Sequence, residues 1–186
     1  NVICTVGRIG TKQKATDILL KAFRVFAQQN KVWQLRIIGK IEPSFKPFIR
    51  QFLHDNPALR NRITFTGEIN DRECLYREYR KAKIFCLSSR WEGFSVACME
   101  AMSAGCYIIH ANTYSAYDVT NYGKYGVIFP VEDYIGLAKC FLRICNDETL
   151  LRENCPQVQE YVTANYTWPA QCQKLKSLLF KGESVR

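Results

Sequence analysis

The sequence predicts a doubly wound α/β sandwich of three layers, built on a parallel sheet of about six strands with extra helices at the C-terminal end. Two observations carry this. Short apolar runs rich in β-branched residues alternate with segments of helical period, and the runs lack the polar alternation of a half-exposed strand, as expected where helices cover both faces of a sheet. The connections are short, with no low-complexity stretch, internal repeat or linker, so residues 1–186 read as one domain.

In chain order, Val2–Val6 is the first strand. An amphipathic helix follows over 17–29, with Ile18, Leu19, Ala22, Phe23 and Phe26 on one face and Lys21, Arg24 and Gln28 opposite, capped near Thr16 or Asp17. The run 35–38 is the second strand, 63–65 the third and Ile84–Leu87 the fourth, separated by weaker helical patterns over 45–54 and 72–80. Ser95 is a candidate N-cap for a helix of small and apolar residues that Gly105 ends. Strands at 107–109 and 127–129 complete the sheet. Ile135, Ala138, Phe141, Leu142 and Cys145 then keep a helical step. Two more helices run through Leu151, Cys155, Val158 and Val162, and through Leu175, Leu178 and Leu179, with Pro169 suited to the first turn of the last.

Composition narrows the function classes. A chain of 186 residues with 47% hydrophobic content can bury a full core, and no stretch approaches the roughly 20 apolar residues of a membrane span. The sequence shows no basic-then-apolar signal-peptide pattern, and a strand beginning at its first residues is expected of a piece of a larger protein. Lysine and arginine total 26 against 17 acids, a net +9 that favours anionic partners such as nucleic acid, acidic lipid or a phosphorylated small molecule. The excess is scattered over helical segments, as on a solvated basic surface. The nine cysteines form no Cys-x-x-Cys pair, and Cys4, Cys86, Cys98 and Cys106 fall in apolar runs, as buried thiols do in a reducing cytoplasm. His54 and His110 are the only histidines, too few for a convincing zinc site.

Ligands of such sheets collect beyond the carboxyl ends of the strands. After the first strand, Gly7-Arg8-Ile9-Gly10-Thr11-Lys12-Gln13-Lys14 leads to a helix N-terminus, where free amides and three cations could hold a phosphate. The pattern is neither Gly-x-Gly-x-x-Gly nor Walker, and taken alone it reads as a basic surface loop. After the fourth strand, Ser88-Ser89-Arg90-Trp91-Glu92-Gly93-Phe94-Ser95 enters the helix that carries Glu100. A carboxylate among Ala97, Met99, Ala101 and Ala104 is partly buried and needs donors, from the protein or from a ligand's hydroxyls. Periodicity alone favours the protein. Glu92 lies in the loop beside a glycine, so the two acids share the mouth of one strand near Arg8 and Lys14. Paired acids also suit glycosidases, which need no phosphate cradle beside them.

Together these segments resemble the C-terminal, nucleotide-sugar-binding domain of retaining GT-B glycosyltransferases of family 4 (glycosyl transferases group 1), over essentially the whole chain. Glu92-Gly93-Phe94-Ser95-x-x-x-x-Glu100-Ala101-Met102-x-x-Gly105 matches the family's paired glutamates, separated by seven residues. Gly7-Arg8, Lys14, Thr66-Gly67, Gly126-Val127-Ile128 with Asp133, and Tyr166-x-Trp168 fall in the family's order. The ordered set carries the resemblance, not any single match.

The resemblance implies a Rossmann-like fold and transfer of a sugar from a nucleoside diphosphate with retained anomeric configuration, without a cofactor or required metal. It implies that Gly7, Arg8 and Lys14 hold the diphosphate, that Glu92 with Gly93, Phe94 and Ser95 binds the transferred sugar, that Glu100 accepts hydrogen bonds from the ribose, and that the loop at Gly67 meets the base. Arg8, Lys14 and Glu92 would be the catalytic set. The acceptor, a glycan or a lipid-linked precursor in polysaccharide biosynthesis, would bind a preceding N-terminal half. The isolated piece would bind donor and transfer nothing, and its segment 175–180 would pack against that half. The whole enzyme would be cytoplasmic, with peripheral association at the cytoplasmic face of a membrane. Departures from the pattern are Ala15 where glycine is usual, a phosphate loop one residue longer than the commonest form, Gly39-Lys40-Ile41-Glu42-Pro43 for Gly-x-Gly-Pro, Ser95 for a frequent glycine, and Tyr114-Ser115-Ala116 for a glycine-rich turn. They bear on which sugar is used more than on the family. Two other readings stand beside it: another nucleotide-sugar enzyme such as an epimerase, which calls for a second carboxylate-bearing site, and a basic nucleic-acid-binding module, which calls for clustered cations with exposed aromatics.

Overall fold

Six parallel strands form the sheet in the computed structural model, which describes residues 1–180. They are β1 (Val2–Val6), β2 (Gln34–Ile38), β3 (Ile63–Gly67), β4 (Ile84–Leu87), β5 (Tyr107–Ala111) and β6 (Gly126–Phe129), in the spatial order β3-β2-β1-β4-β5-β6. The helices are α1 (Thr16–Gln29), α2 (Lys46–Asp55), α3 (Arg72–Lys81), α4 (Val96–Ser103), α5 (Ala116–Thr120), α6 (Tyr134–Cys145), α7 (Glu148–Tyr166) and α8 (Trp168–Leu179). This is a Rossmann-like fold. Its order reverses between β1 and β4, so the loops leaving those two strands diverge and leave a crevice at their carboxyl ends.

The strands lack polar alternation because both of their faces are covered. Ile3, Ile84, Cys86 and Ile109 pack with Phe23 and Phe26 of α1 and Phe141 of α6 on one side. Cys4, Phe85, Leu87 and Ile108 pack with Tyr79 of α3, Met102 of α4 and Val158 of α7 on the other. Phe26 and Phe141 meet edge to face at 5.7 Å between ring centroids, and burying each ring stabilises the fold by about 1.5–3 kcal/mol. The four cysteines read as buried are buried, and all nine are free thiols. No described helix is long and apolar enough to cross a membrane.

Local departures from the sequence reading have physical causes. Neither Thr16 nor Asp17 caps α1: Ala15 does, in the left-handed conformation at φ 48°, and the Thr16 hydroxyl instead accepts a hydrogen bond from Gly10 N at 3.2 Å. That conformation explains why glycine suits position 15, since a Cβ there costs about 1–2 kcal/mol. The helix expected over 45–54 begins one residue later, after a 3₁₀ turn at Pro43–Phe45. The short α5 was not anticipated, because five residues are too few to show a helical period. Helix α8 forms as expected, yet none of its residues is buried, and Leu175, Leu178 and Leu179 are exposed.

One glycine is dictated by close approach. A Cβ on Gly39, at φ +136°, would stand 1.9 Å from the carbonyl oxygen of Gly7. The loops after β1 and β2 can therefore touch only without a side chain there. Gly7 N donates to Ile38 O at 3.0 Å and Gly39 N to Gly67 O at 2.8 Å, which ties the ends of β1, β2 and β3 into one rim.

Candidate functional site

The crevice between β1 and β4 is where the two loops singled out by the sequence meet. Lys14, in the loop after β1, extends along the face of Gly7 and places Nζ 2.5 Å from Oε1 of Glu92. The Ser89 hydroxyl donates to the same oxygen at 2.7 Å. Glu92 is buried despite its loop position, and among the described residues its Oε2 accepts no hydrogen bond. The carboxylate is thus half satisfied from within and half available to a ligand.

Glu100 has a different setting one helix onward. Ser95 caps α4 by accepting from Cys98 N, and Gly105 ends the helix at φ +89°. Glu100, on the second turn, receives a hydrogen bond from the Tyr79 hydroxyl at 3.0 Å and stands 3.5 Å from the Arg72 guanidinium. Arg72 is largely exposed, so its attraction is screened. Burial, and then the Glu100 charge, push the Tyr79 phenol far above its usual range, so it remains a donor. Glu100 lines a cavity of about 430 Å³ with Arg72, Tyr76, Tyr79, Met99 and Tyr166.

Arg8 stands apart from the Lys14–Glu92 pair. It is exposed, makes no ion pair among the described residues, and lines a cavity of about 220 Å³ with Gly7, Gly39, Glu68 and Ile69. Gly67, at φ +76°, ends β3 beside this cavity, and Leu75 of α3 lines both it and the Glu100 cavity. Gly93 and Phe94 are exposed at the mouth, where the Phe94 ring lies 5.7 Å from that of Tyr166, while Ser95 is buried as a cap. The structure therefore joins Lys14 to Glu92, groups Gly7 and Arg8 near Gly67, and sets Glu100 on the neighbouring wall.

Four participants were not assigned from the sequence. Tyr79, Ser89 and Arg90 hold the three key side chains or their loops; only the position of Ser89 and Arg90 in the Glu92 loop could have flagged them. His110 on β5 is fully buried. Its Nδ1 donates to Ala111 O at 2.6 Å, Nε2 has no partner, and burial lowers its pKa and keeps it neutral. No group of metal-ligating side chains occurs among the described residues.

The fold that carries these loops is shared with known proteins. The sequence pattern of the family "Glycosyl transferases group 1" matches residues 1–162. The chain belongs to that family. It is 24% identical over 156 residues to the lipopolysaccharide core biosynthesis mannosyltransferase LpcC of Rhizobium leguminosarum bv. viciae, covering 83% of this chain and 44% of that protein. It superposes on sucrose-phosphate synthase from Thermosynechococcus elongatus with a TM-score of 0.81 and 26% identity, over 98% of this chain and 46% of that one. Anabaena HepE, crystallised in complex with UDP, shares the fold at a TM-score of 0.81 and 18% identity, over 97% of this chain and 48% of its own. The chain spans less than half the length of the curated relatives it matches.

Proposed function

We propose that this chain is the donor-binding half of a retaining glycosyltransferase of GT-B architecture, family 4, and that it binds a nucleoside-diphosphate sugar in the β1/β4 crevice. The observation that carries this reading is the contact between Lys14 and Glu92, a cation from the loop after β1 and a carboxylate from the loop after β4 that meet at the switch point. Lys14 and Arg8 would neutralise the diphosphate as it departs, an electrostatic task that a pre-positioned cation performs without reorganisation. The open Oε2 of Glu92 would accept a hydroxyl of the transferred sugar and, with the amides of Gly93 to Ser95, fix its orientation. Glu100 would accept hydrogen bonds from the ribose, and the rim at Gly67 would meet the base. The structure of HepE with UDP supports a nucleoside diphosphate as the common element. The reading calls for no metal, because the cations are side chains.

The acceptor, a glycan or a lipid-linked precursor, would meet the donor from a second half, in a cytoplasmic enzyme with peripheral contact to the membrane face. Residues 1–186 supply one wall of the cleft, so they should bind donor and transfer nothing. Neither alternative gains support: the Lys14–Glu92 contact calls for no epimerase chemistry, and no nucleic-acid stripe is needed to explain the cations at the mouth.

Calorimetric titration with UDP, GDP and ADP, each beside its nucleoside, tests the reading. One diphosphate should bind well above its nucleoside. Arg8→Ala and Lys14→Ala should each weaken that diphosphate by about 1.5–3 kcal/mol, the scale of a charge-assisted hydrogen bond, and leave the nucleoside nearly unchanged. Equal losses for nucleoside and diphosphate would overturn the assignment.

A further inference from the structure

Lys14 and Glu92 belong to different loops, and loops are placed by what clamps them. Arg90, two residues before Glu92, reaches across to the loop after β1. Its backbone N–H donates to Gln13 O at 2.8 Å, and its Nη1 donates to Lys12 O at 2.7 Å. Its Nη2 donates to both oxygens of Asp17, at 3.3 and 3.4 Å, in the first turn of α1. Its Nε and Nη2 grip the two carboxylate oxygens of Glu132, in the turn between β6 and α6. One guanidinium thus spans three segments: the loop after β1, the loop after β4 and the turn after β6.

Neighbouring bonds reinforce the seam. The Ser88 hydroxyl lies 3.1 Å from Lys14 O and 3.2 Å from Ala15 O, and Gln13 Nε2 donates to Trp91 O at 3.2 Å. Two residues on this seam hold backbone conformations that L side chains rarely adopt, Ala15 at φ 48° and Glu132 at φ 68°. Such conformations persist only where the surroundings over-determine them, and the Arg90 clamp touches both segments. Arg90 is mostly shielded from solvent, and each of its guanidinium nitrogens donates to a protein acceptor, so it acts through Lys14 and Glu92 and not on a ligand.

We propose that Arg90 is a positioning residue for the donor site, one whose clamp to Lys12, Asp17 and Glu132 sets the spacing between Lys14 and Glu92. This rests on the donor-binding reading above. Lysine cannot replace it, because a point charge has no planar fork with which to hold acceptors in three directions.

The test uses Arg90→Lys, and Glu132→Gln as a variant that loosens the clamp from its far side. Both are titrated with UDP, GDP and ADP and with the nucleosides. For the diphosphate that wild type binds, Arg90→Lys should weaken affinity about 10-fold or more, the cost of a misplaced binding group, and Glu132→Gln by less; nucleoside affinity should move by under about twofold. In a Lys14→Ala background the Arg90→Lys effect should shrink to under about twofold, because residues that act as one unit are not additive. Wild-type diphosphate affinity in Arg90→Lys, parallel loss of nucleoside, or full additivity with Lys14→Ala would each overturn the proposal. Amide hydrogen exchange of the free protein supplies a readout independent of nucleotide: residues 11–15 should exchange faster in Arg90→Lys while α6 does not, and unchanged exchange there would also overturn it. If wild type prefers no diphosphate over its nucleoside, the donor-binding reading fails, and the exchange result still judges the clamp.

Discussion

Glu92 and Glu100 are the same residue type, eight positions apart, on neighbouring walls of the site, and the fold treats them differently. Glu92 sits in a loop yet is buried, and it is neutralised by a cation from another loop at 2.5 Å. Glu100 sits on a regular helix yet keeps about a third of its side chain exposed, with a neutral phenol as its near partner. Burial decides the partner: a carboxylate removed from water needs a full opposite charge, whereas one still touching water needs only a donor to orient it. The difference matches the roles proposed for them. A site that must answer the charge of a diphosphate contains a cation already held in place by an ion pair, and a site that must accept neutral diol hydroxyls contains an aligned acceptor.

The sharpest way to break this contrast is to remove the cation. Lys14→Met should leave the Glu92 carboxylate buried with Ser89 as its remaining donor, and unfolding in urea should show a loss of about 2–4 kcal/mol. Adding Glu92→Gln to that variant should recover much of the loss, because the uncompensated charge is gone. A loss below about 0.5 kcal/mol for Lys14→Met, typical of a solvated pair, would mean that the pair does not hold in solution and that the two glutamates are equivalent.

Much of this was legible in the sequence. The six strands and the helices that bury two-sided apolar runs could be read from periodicity, because covered strands leave a plain signal in residue type. Lys14 and Glu92 could be placed at neighbouring strand ends for the same topological reason. Their contact could not, because 78 positions separate them and loop conformation sets the distance. Nor could the left-handed turn at Ala15, where the side chain gives no warning of a strained backbone, or the Arg90 seam, which depends on three carbonyl and carboxylate partners meeting in space. Tyr79 reads as one more core aromatic, and only the fold shows its hydroxyl aimed at Glu100.

A smaller effect sharpens the Glu100 side. Tyr79→Phe removes the phenol donor from a partly wet carboxylate, so the loss should be about 1–2 kcal/mol at neutral pH, near the net value of one hydrogen bond to a charged group. The Tyr79 phenol titrates above its ordinary value of 10.0, raised by burial first and then by Glu100. Its contribution is therefore fully present below pH 10 and is lost as pH rises beyond it, since the unfolded chain releases that proton first. The stability gap between wild type and Tyr79→Phe should narrow above pH 10 in denaturant titrations. A gap that stays constant up to pH 11 would show that the hydroxyl is not held as described.

The smallest expected change in stability is for Glu100→Gln. The amide oxygen of glutamine still accepts from the Tyr79 hydroxyl, and the charge attraction that disappears is the one to Arg72, whose side chain is 90% exposed. Exposed pairs contribute little after solvent and salt screen them, so the unfolding free energy should fall by about 0.5 kcal/mol or less. Binding should respond more than folding does. Exchanging a charged acceptor for a neutral one weakens each hydrogen bond from a ribose hydroxyl by about 1 kcal/mol, or about fivefold. That loss should be the same for nucleoside and nucleoside diphosphate, because both carry the ribose, whereas Lys14→Ala should separate the two. A Glu100→Gln variant that loses more than about 2 kcal/mol of stability would place Glu100 with Glu92, as a buried charge that the fold itself depends on.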